Sequence, residues 1–372
     1  MATAPELPPL PLRAELPPGE HSRIADAPIE DVYKEKLKIL GYLTVEQVLS
    51  VAETASLRSR LNEYLGADVS VVLAEVPVQD FAPQLSLEAY TADYTFGARL
   101  REEAVTAVIP TTDLSAARHV PRFRAASLGL TPPGGPLGTG FGGPGGPIRD
   151  QAYRGTCVAH AAVAAMEHYL ITHGQGNRDT LDLSEQFVYW NSKSHDGIPN
   201  DPGTFLSVAM PLLFSDGCCL EEIWPYNPNP ILGNEGQGPP PPGARPNAAT
   251  RRVPGVRPLT ASAVAELKDE LGEARYVAVS VAAFDYCWTT PATRSSGNVI
   301  MPFPGDVTRA GHAVCLVDYE DLEGEPELGG GRFILRNSWN GYWGVNSPYS
   351  TGYGTIPYAY LTTYGKEAYS IG

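Results

Sequence analysis

The sequence predicts an α+β protein with a helical lobe and a β-rich lobe behind a small, mostly helical N-terminal region. Three observations carry this. Apolar residues recur at helical spacing between residues 157 and 215, short β-branched runs bounded by turn residues fill the last third, and Pro/Gly-rich segments separate these blocks. The 372 residues give room for one large domain and one small one, and 38 glycines with 35 prolines assign much of the chain to loops.

Taken in order, residues 1–26 are a proline-rich tail expected to be extended or disordered. Residues 27–67 read as two or three short helices of helix-hairpin-helix type. Val32, Leu37 and Leu40 make an apolar stripe, Gly41 ends the first helix, and Thr44 caps the second with Gln47 in the capping-box position. Residues 68–114 connect this module to the main domain, with "DVSVVLAEV" expected as a strand and "FGARLREEAVTAV" as a helix. The main domain spans 115–368 and carries a Gly/Pro-rich insertion at 130–147. Its first helix starts at Cys157, with Val158, Ala161, Ala162, Ala165, Met166 and Tyr169 as its stripe and an end near Gly174. "LSEQFVYWNSK", with Ser184 near its start, and "PGTFLSVAMPLLFSDG" are further helices. "ARYVAVSVAAF", "GHAVCLVDYED" and "GRFILRNSWN" read as strands, and "YEDLEGEPELGGG" as a solvated hairpin loop between the last two.

A net charge of −15 argues against nucleic acid as a partner, and the helical module lacks the basic character of a DNA reader. No apolar run approaches membrane-spanning length and the N-terminus lacks a signal-peptide core, so the expectation is a cytoplasmic protein or one exported without a cleaved signal. The five cysteines, at 157, 218, 219, 287 and 315, have no zinc-like spacing and suit a reducing compartment. No metal or other cofactor is expected.

Cys157 stands in the first turn of its helix, where unsatisfied N–H groups and the helix dipole favour a thiolate. A nucleophile there needs a base. His21, His119 and His195 fall in irregular sequence, and His160, His168 and His173 belong to the Cys157 helix or its end as packing or surface residues. His312 opens a buried strand, the rigid placement a base requires. Asn337 offers a neutral oxygen to orient the imidazole, and Gln151 with the Cys157 N–H supplies two donors for a developing oxyanion.

These segments resemble the papain family of cysteine peptidases. "RDQAYRGTCVAHA" is similar to its nucleophile segment, "GHAVCLVDYE" to its histidine strand, and "LRNSWNGYWG" followed by "GYGTIPYAYL" to its asparagine–tryptophan segment, with "LSEQF" and "EEIWPY" between them. The resemblance covers roughly residues 115–365 and implies a papain-like fold with a helical left lobe and a β-barrel-like right lobe. It further implies a catalytic set of Cys157, His312, Asn337 and Gln151. Trp339 would shield the Asn–His hydrogen bond, and Gly203 would lie against the substrate backbone. The implied activity is endopeptidase cleavage of protein or peptide substrates through a thioester. A peptide ligase or acyl transferase, or a silent binding protein, could share the same residues. Two departures stand out: Arg154 replaces a cysteine the family pairs in a disulfide, with an expected effect on cleft charge, and Val158 replaces an aromatic residue. Residues 68–114 read as a connecting or pro-segment-like region, and the position of the N-terminal 110 residues or so, their mixed helix–strand content and the glycine-rich connection before Gln151 suggest that this region packs on the catalytic domain and restrains access, as in a zymogen.

Overall fold

The computed structural model describes residues 23–76, 95–102, 104–108, 148–177, 180–322 and 329–372. Residues 1–22 of the expected tail, the expected insertion at 130–147 and residues 323–328 of the expected hairpin loop lie outside the described residues, as do His21 and His119.

Four helices come first: α1 (Asp31–Ile39), α2 (Val45–Ala52), α3 (Ala55–Leu65) and the single turn α4 (Val69–Val72). A two-residue strand, β1 (Val105–Thr106), precedes the helical lobe of α5 (Cys157–Thr172), α6 (Glu185–Lys193), α7 (Leu206–Ser215) and α8 (Ala244–Ala249). The remainder runs β2 (Val256–Leu259), α9 (Val264–Gly272), β3 (Val277–Ala282), α10 (Asp285–Thr289), α11 (Pro291–Ser296), β4 (Val307–Thr308), β5 (Gly311–Asp321), β6 (Gly331–Arg336), β7 (Tyr353–Pro357), α12 (Tyr358–Tyr364) and β8 (Gly365–Ile371).

Six of the strands form one antiparallel sheet in the order β2-β8-β3-β5-β6-β7. Alternation along β3 and β5 feeds two cores, one on each face. Ala278, Ala313, Cys315 and Val317 pack with α5 and the helical lobe. Val277, Val279, Val281, Val314 and Leu316 pack with α12, the aromatic cluster of Trp288, Trp339 and Trp343, and the N-terminal helices. Helix α5 is buried nearly all round, and its alanines let it lie close to the sheet. Ser184 caps α6, its hydroxyl accepting from Phe187 N at 3.0 Å.

The N-terminal helices share the second core rather than forming a separate one. Leu37, Leu40, Val48, Val51 and Leu61 are buried against Ile300, Met301 and Phe303. Met301 N donates to Leu40 O at 2.8 Å and Ala292 N to Ser50 Oγ at 3.1 Å. Gly41 has φ +74° where α1 ends, and Gln47 Oε1 accepts from Thr44 N at 3.1 Å.

Three local expectations are corrected. Val32 does not join the apolar stripe: it lies on the solvent face of α1, 52% exposed. "DVSVVLAEV" does not form a strand. Asp68 accepts from Ser70 N at 2.8 Å and caps α4, whose Val69 and Val72 are buried three residues apart. "FGARLREEAVTAV" does not form a helix, because its backbone groups find partners across the cleft between the lobes.

Candidate active site

The segments that carry Cys157 and Asn337 are stitched together by main-chain and side-chain hydrogen bonds. Gln151 N donates to Ser338 O at 2.8 Å, and Ser338 Oγ donates to Gln151 Oε1 at 2.6 Å. Tyr226 OH donates to Gln151 O at 2.9 Å; with that hydrogen committed, Thr156 Oγ1 donates to Tyr226 OH at 2.7 Å. The turn before α5 is thereby fixed, and Cys157 stands as the first helical residue, fully buried.

His312 is the second residue of β5, paired opposite Val281. Trp339 stacks on its ring with centroids 4.5 Å apart, while Trp288 and Phe96 meet it edge-on at 5.1 and 5.5 Å. The tautomer follows from Asn337, which lies just past the end of β6. Asn337 Oδ1 accepts from Ser338 N at 2.9 Å, so that atom is oxygen, and the 2.8 Å contact from His312 Nε2 must then be a donation. Nε2 carries the hydrogen. Nδ1 keeps a lone pair and has no hydrogen-bond partner among the described residues. The Cys157 sulfur lies within reach of the N–H of Ala313, the next residue along β5.

Residues 95–102 cross this site as an extended strap. Ala98 N donates to Gly311 O at 2.9 Å on the sheet side; on the helical side Arg99 N donates to Thr204 O at 2.9 Å and Thr204 N to Gly97 O at 3.1 Å. The approach is tight enough to demand glycine. Gly203 has φ +84°, and a Cβ there would collide with Gly97 O, just as one on Gly97 would collide with the backbone of Gly155. Gln151 Nε2 donates to Thr95 O at 2.7 Å as well as to Arg154 O at 2.9 Å. Phe96 packs edge-on against Trp339, 5.4 Å between centroids.

Burial sets the electrostatics. Burial pushes the Cys157 thiol up to about 11, against the downward pull of the N–H groups of Ala313, Gly97, Val158 and Ala98. Burial holds His312 down at about 4 despite its bond to Asn337. Near neutral pH both groups are uncharged, so the thiolate expected from the helix N-terminus is absent in this covered state. Desolvation outweighs the dipole.

Arg154 does not alter the charge of an open cleft. It is buried, donating to Gln186 Oε1 at 2.7 Å, Asn227 O at 2.9 Å and Glu235 O at 2.8 Å, with its guanidinium over the rings of Tyr189 and Tyr226. It holds the proline-rich loop after Tyr226 against the turn that presents Cys157. His160 and His168 are buried packing residues: His160 Nδ1 donates to Thr156 O at 3.0 Å, and His168 stacks on Tyr276. Exposed His195 donates to Asn191 O. All five cysteines are free and buried, and no metal-binding cluster of His, Cys, Asp or Glu occurs among the described residues. No helix among them is long and apolar enough to cross a membrane.

Sequence reasoning brought together Cys157, His312, Asn337, Gln151, Trp339 and Gly203 but missed Thr95, Phe96, Gly97 and Ala98. The sequence profile described as papain family cysteine protease matches residues 143–356 of this chain. The chain belongs to the papain family. An uncharacterized peptidase C1-like protein of Acanthamoeba polyphaga mimivirus is 26% identical over 220 residues, covering 57% of this chain and 64% of the viral protein. Cysteine proteinase 2 of Entamoeba histolytica is 26% identical over 199 residues, 53% of this chain and 57% of its own. The chain thus spans less than two thirds of the length of either relative. Among solved structures, xylellain, a cysteine protease from Xylella fastidiosa, is 21% identical with a TM-score of 0.49, covering 73% of this chain and 97% of that one. The cysteine protease Cwp84, of clostridial origin, is 20% identical with a TM-score of 0.46, covering 68% of this chain and 57% of its own. The matched profile leaves out the strap and the N-terminal helices.

Proposed function

We propose that this chain is a thiol peptidase that hydrolyses peptide bonds at Cys157, restrained by its own residues 95–102. The observation that carries the reading is an extended backbone paired to both walls of a groove beside a cysteine, an imidazole and an asparagine. A groove that accepts main chain through its N–H and C=O groups is suited to peptides of varied sequence.

In the open site, Cys157 transfers its proton to His312 Nδ1 and the sulfur bonds to the substrate carbonyl carbon. Gln151 Nε2 and the Cys157 N–H receive the oxyanion; Thr95 O already occupies the first of these donors. His312 then protonates the departing amine, and water, deprotonated by His312, cleaves the thioester. Asn337 keeps the hydrogen on Nε2 so that Nδ1 faces the chemistry. The strap presents the sulfur with the N–H groups of Gly97 and Ala98, hydrogen-bond donors that are not electrophiles.

The test is peptide hydrolysis by the full chain carrying Ala98→Pro, which removes the N–H donated to Gly311. Cleavage should be lost by at least about a thousandfold on adding Cys157→Ala or His312→Ala. If the strap-loosened protein cleaves no peptide although Cys157 has become accessible to iodoacetamide, the peptidase reading is wrong.

A further inference from the structure

The strap is an internal peptide ligand, so its contacts report what the cleft accepts beyond main chain. Arg101 is informative. Its Nη2 donates to Ser207 Oγ at 2.8 Å and lies 3.5 Å from Glu367 Oε1, and its guanidinium sits 5.1 Å above the centre of the Phe205 ring. The receiving side is built and the ligand side is loose: the Glu367 side chain is 14% exposed, that of Arg101 68%. Glu367 Oε2 is already held by Leu206 N at 2.8 Å and Ser207 N at 3.4 Å, the first N–H groups of α7. Its other oxygen is left for a cation. Phe205, Leu206 and Ser207 directly follow Thr204, on which the strap's backbone is paired. Neighbouring Lys366 is engaged with Glu102 at 3.1 Å.

We propose that Phe205, Ser207 and Glu367 form a subsite that selects an arginine side chain of the substrate, on the side of the cut bond that runs along Gly203 and Thr204. The proposal rests on the peptidase reading. When the strap leaves, Arg101 takes its charge with it, and the mostly buried carboxylate, fixed at one oxygen, takes up a cation from the substrate in its place. Arginine suits the corner better than lysine. A planar guanidinium stacks on the Phe205 ring while its N–H groups reach Ser207 and Glu367, whereas an ammonium offers no flat face. Acidic residues are rejected there by Glu367.

The experiment has two readouts. In the first, a peptide library is digested with the full chain carrying Ala98→Pro and the cut sites are read by mass spectrometry. Arginine should be enriched at one fixed position. Adding Glu367→Gln, which keeps an acceptor for the α7 N–H groups, should lower the kcat/KM ratio of arginine over leucine peptides about tenfold. Glu367→Lys should turn the preference towards acidic residues, and Ser207→Ala should lower the arginine ratio more weakly. The second readout needs no catalysis: Glu367→Gln in the otherwise native chain should raise iodoacetamide labelling of Cys157 about threefold, by loosening Arg101. Digestion without arginine enrichment, or an arginine ratio unmoved by Glu367→Gln, overturns the subsite. Unchanged labelling in Glu367→Gln does so as well. Faster labelling without digestion by any variant keeps the cation-binding corner and removes the peptidase reading instead.

Discussion

The N-terminal helices and the strap belong to the same stretch of chain outside the matched profile, yet they are held by different physics. The helices are fastened by side chains: Leu37, Val45, Val48, Val51 and Leu61 are fully buried, each contributing about 1.5–3 kcal/mol. The strap is fastened chiefly by main chain and charge, with side-chain packing confined to half-buried Phe96 and Leu100 and the small Ala98. Three backbone hydrogen bonds to Gly311 and Thr204 contribute about 0.5–1.5 kcal/mol apiece, and the ion pairs of Arg101 and Glu102 less. A segment held that way can leave while the helices stay. In the reading proposed above, the N-terminal appendage divides into a permanent layer and a removable cover.

The sharpest way to break this contrast is to damage the helices and watch the cover. Leu61→Ala should cost about 2–5 kcal/mol of unfolding free energy in urea while Cys157 labelling in the folded protein stays slow. Labelling that accelerates in step with lost stability would mean that the two regions open together. Conversely, Ala98→Pro should raise iodoacetamide labelling of Cys157 about thirtyfold and lower the unfolding free energy by no more than the roughly 2 kcal/mol that this factor represents. A loss of stability without faster labelling would make the strap part of the core.

Acid sharpens the contrast further. Covered His312 has its pKa at about 4, below the ordinary histidine value, because it is buried; opening hydrates it and returns it towards about 6.5. The open form then binds the proton more tightly, so opening is favoured as pH falls from about 6.5 towards 4, by up to tenfold per unit. His160, also held at about 4 by burial, acts in the same direction if it is hydrated too, and Cys157, raised to about 11, stays protonated throughout this range. Labelling with 2,2′-dipyridyl disulfide, which reacts with thiols in acid, should therefore speed up about tenfold between pH 6.5 and 5. In His312→Gln that gain should largely vanish. Salt gives the smallest effect: screening the Arg101 and Glu102 ion pairs with 0.5 M sodium chloride should raise labelling less than about threefold.

Local patterns were legible in the sequence wherever a residue's role is set by its own element. Cys157 opening an alanine-rich helix and His312 opening a buried strand were marked by periodicity and order along the chain, whereas Asn337, expected within the strand "GRFILRNSWN", lies just past its end at Arg336. The strap carried no such mark. Its backbone bonds reach Thr204 and Gly311, more than a hundred residues away, and use atoms that every residue carries, so "TFGAR" offers no local signature beyond one glycine. The misread "DVSVV" failed differently: β-branched residues suggested a strand, but Val69 and Val72 found a core three residues apart, and tertiary packing overrode propensity.

Arg154 has a last consequence, for handling and for evolution. The turn that presents Cys157 is fastened by a guanidinium held between two aromatic rings and three oxygens, where the family uses sulfur. An enzyme whose nucleophile must stay reduced usually faces a conflict, since the reductant that protects the thiol also threatens the clamp beside it. Under the proposed function, strong reducing conditions guard Cys157 and leave the clamp untouched, and this fastening needs no oxidative step to form.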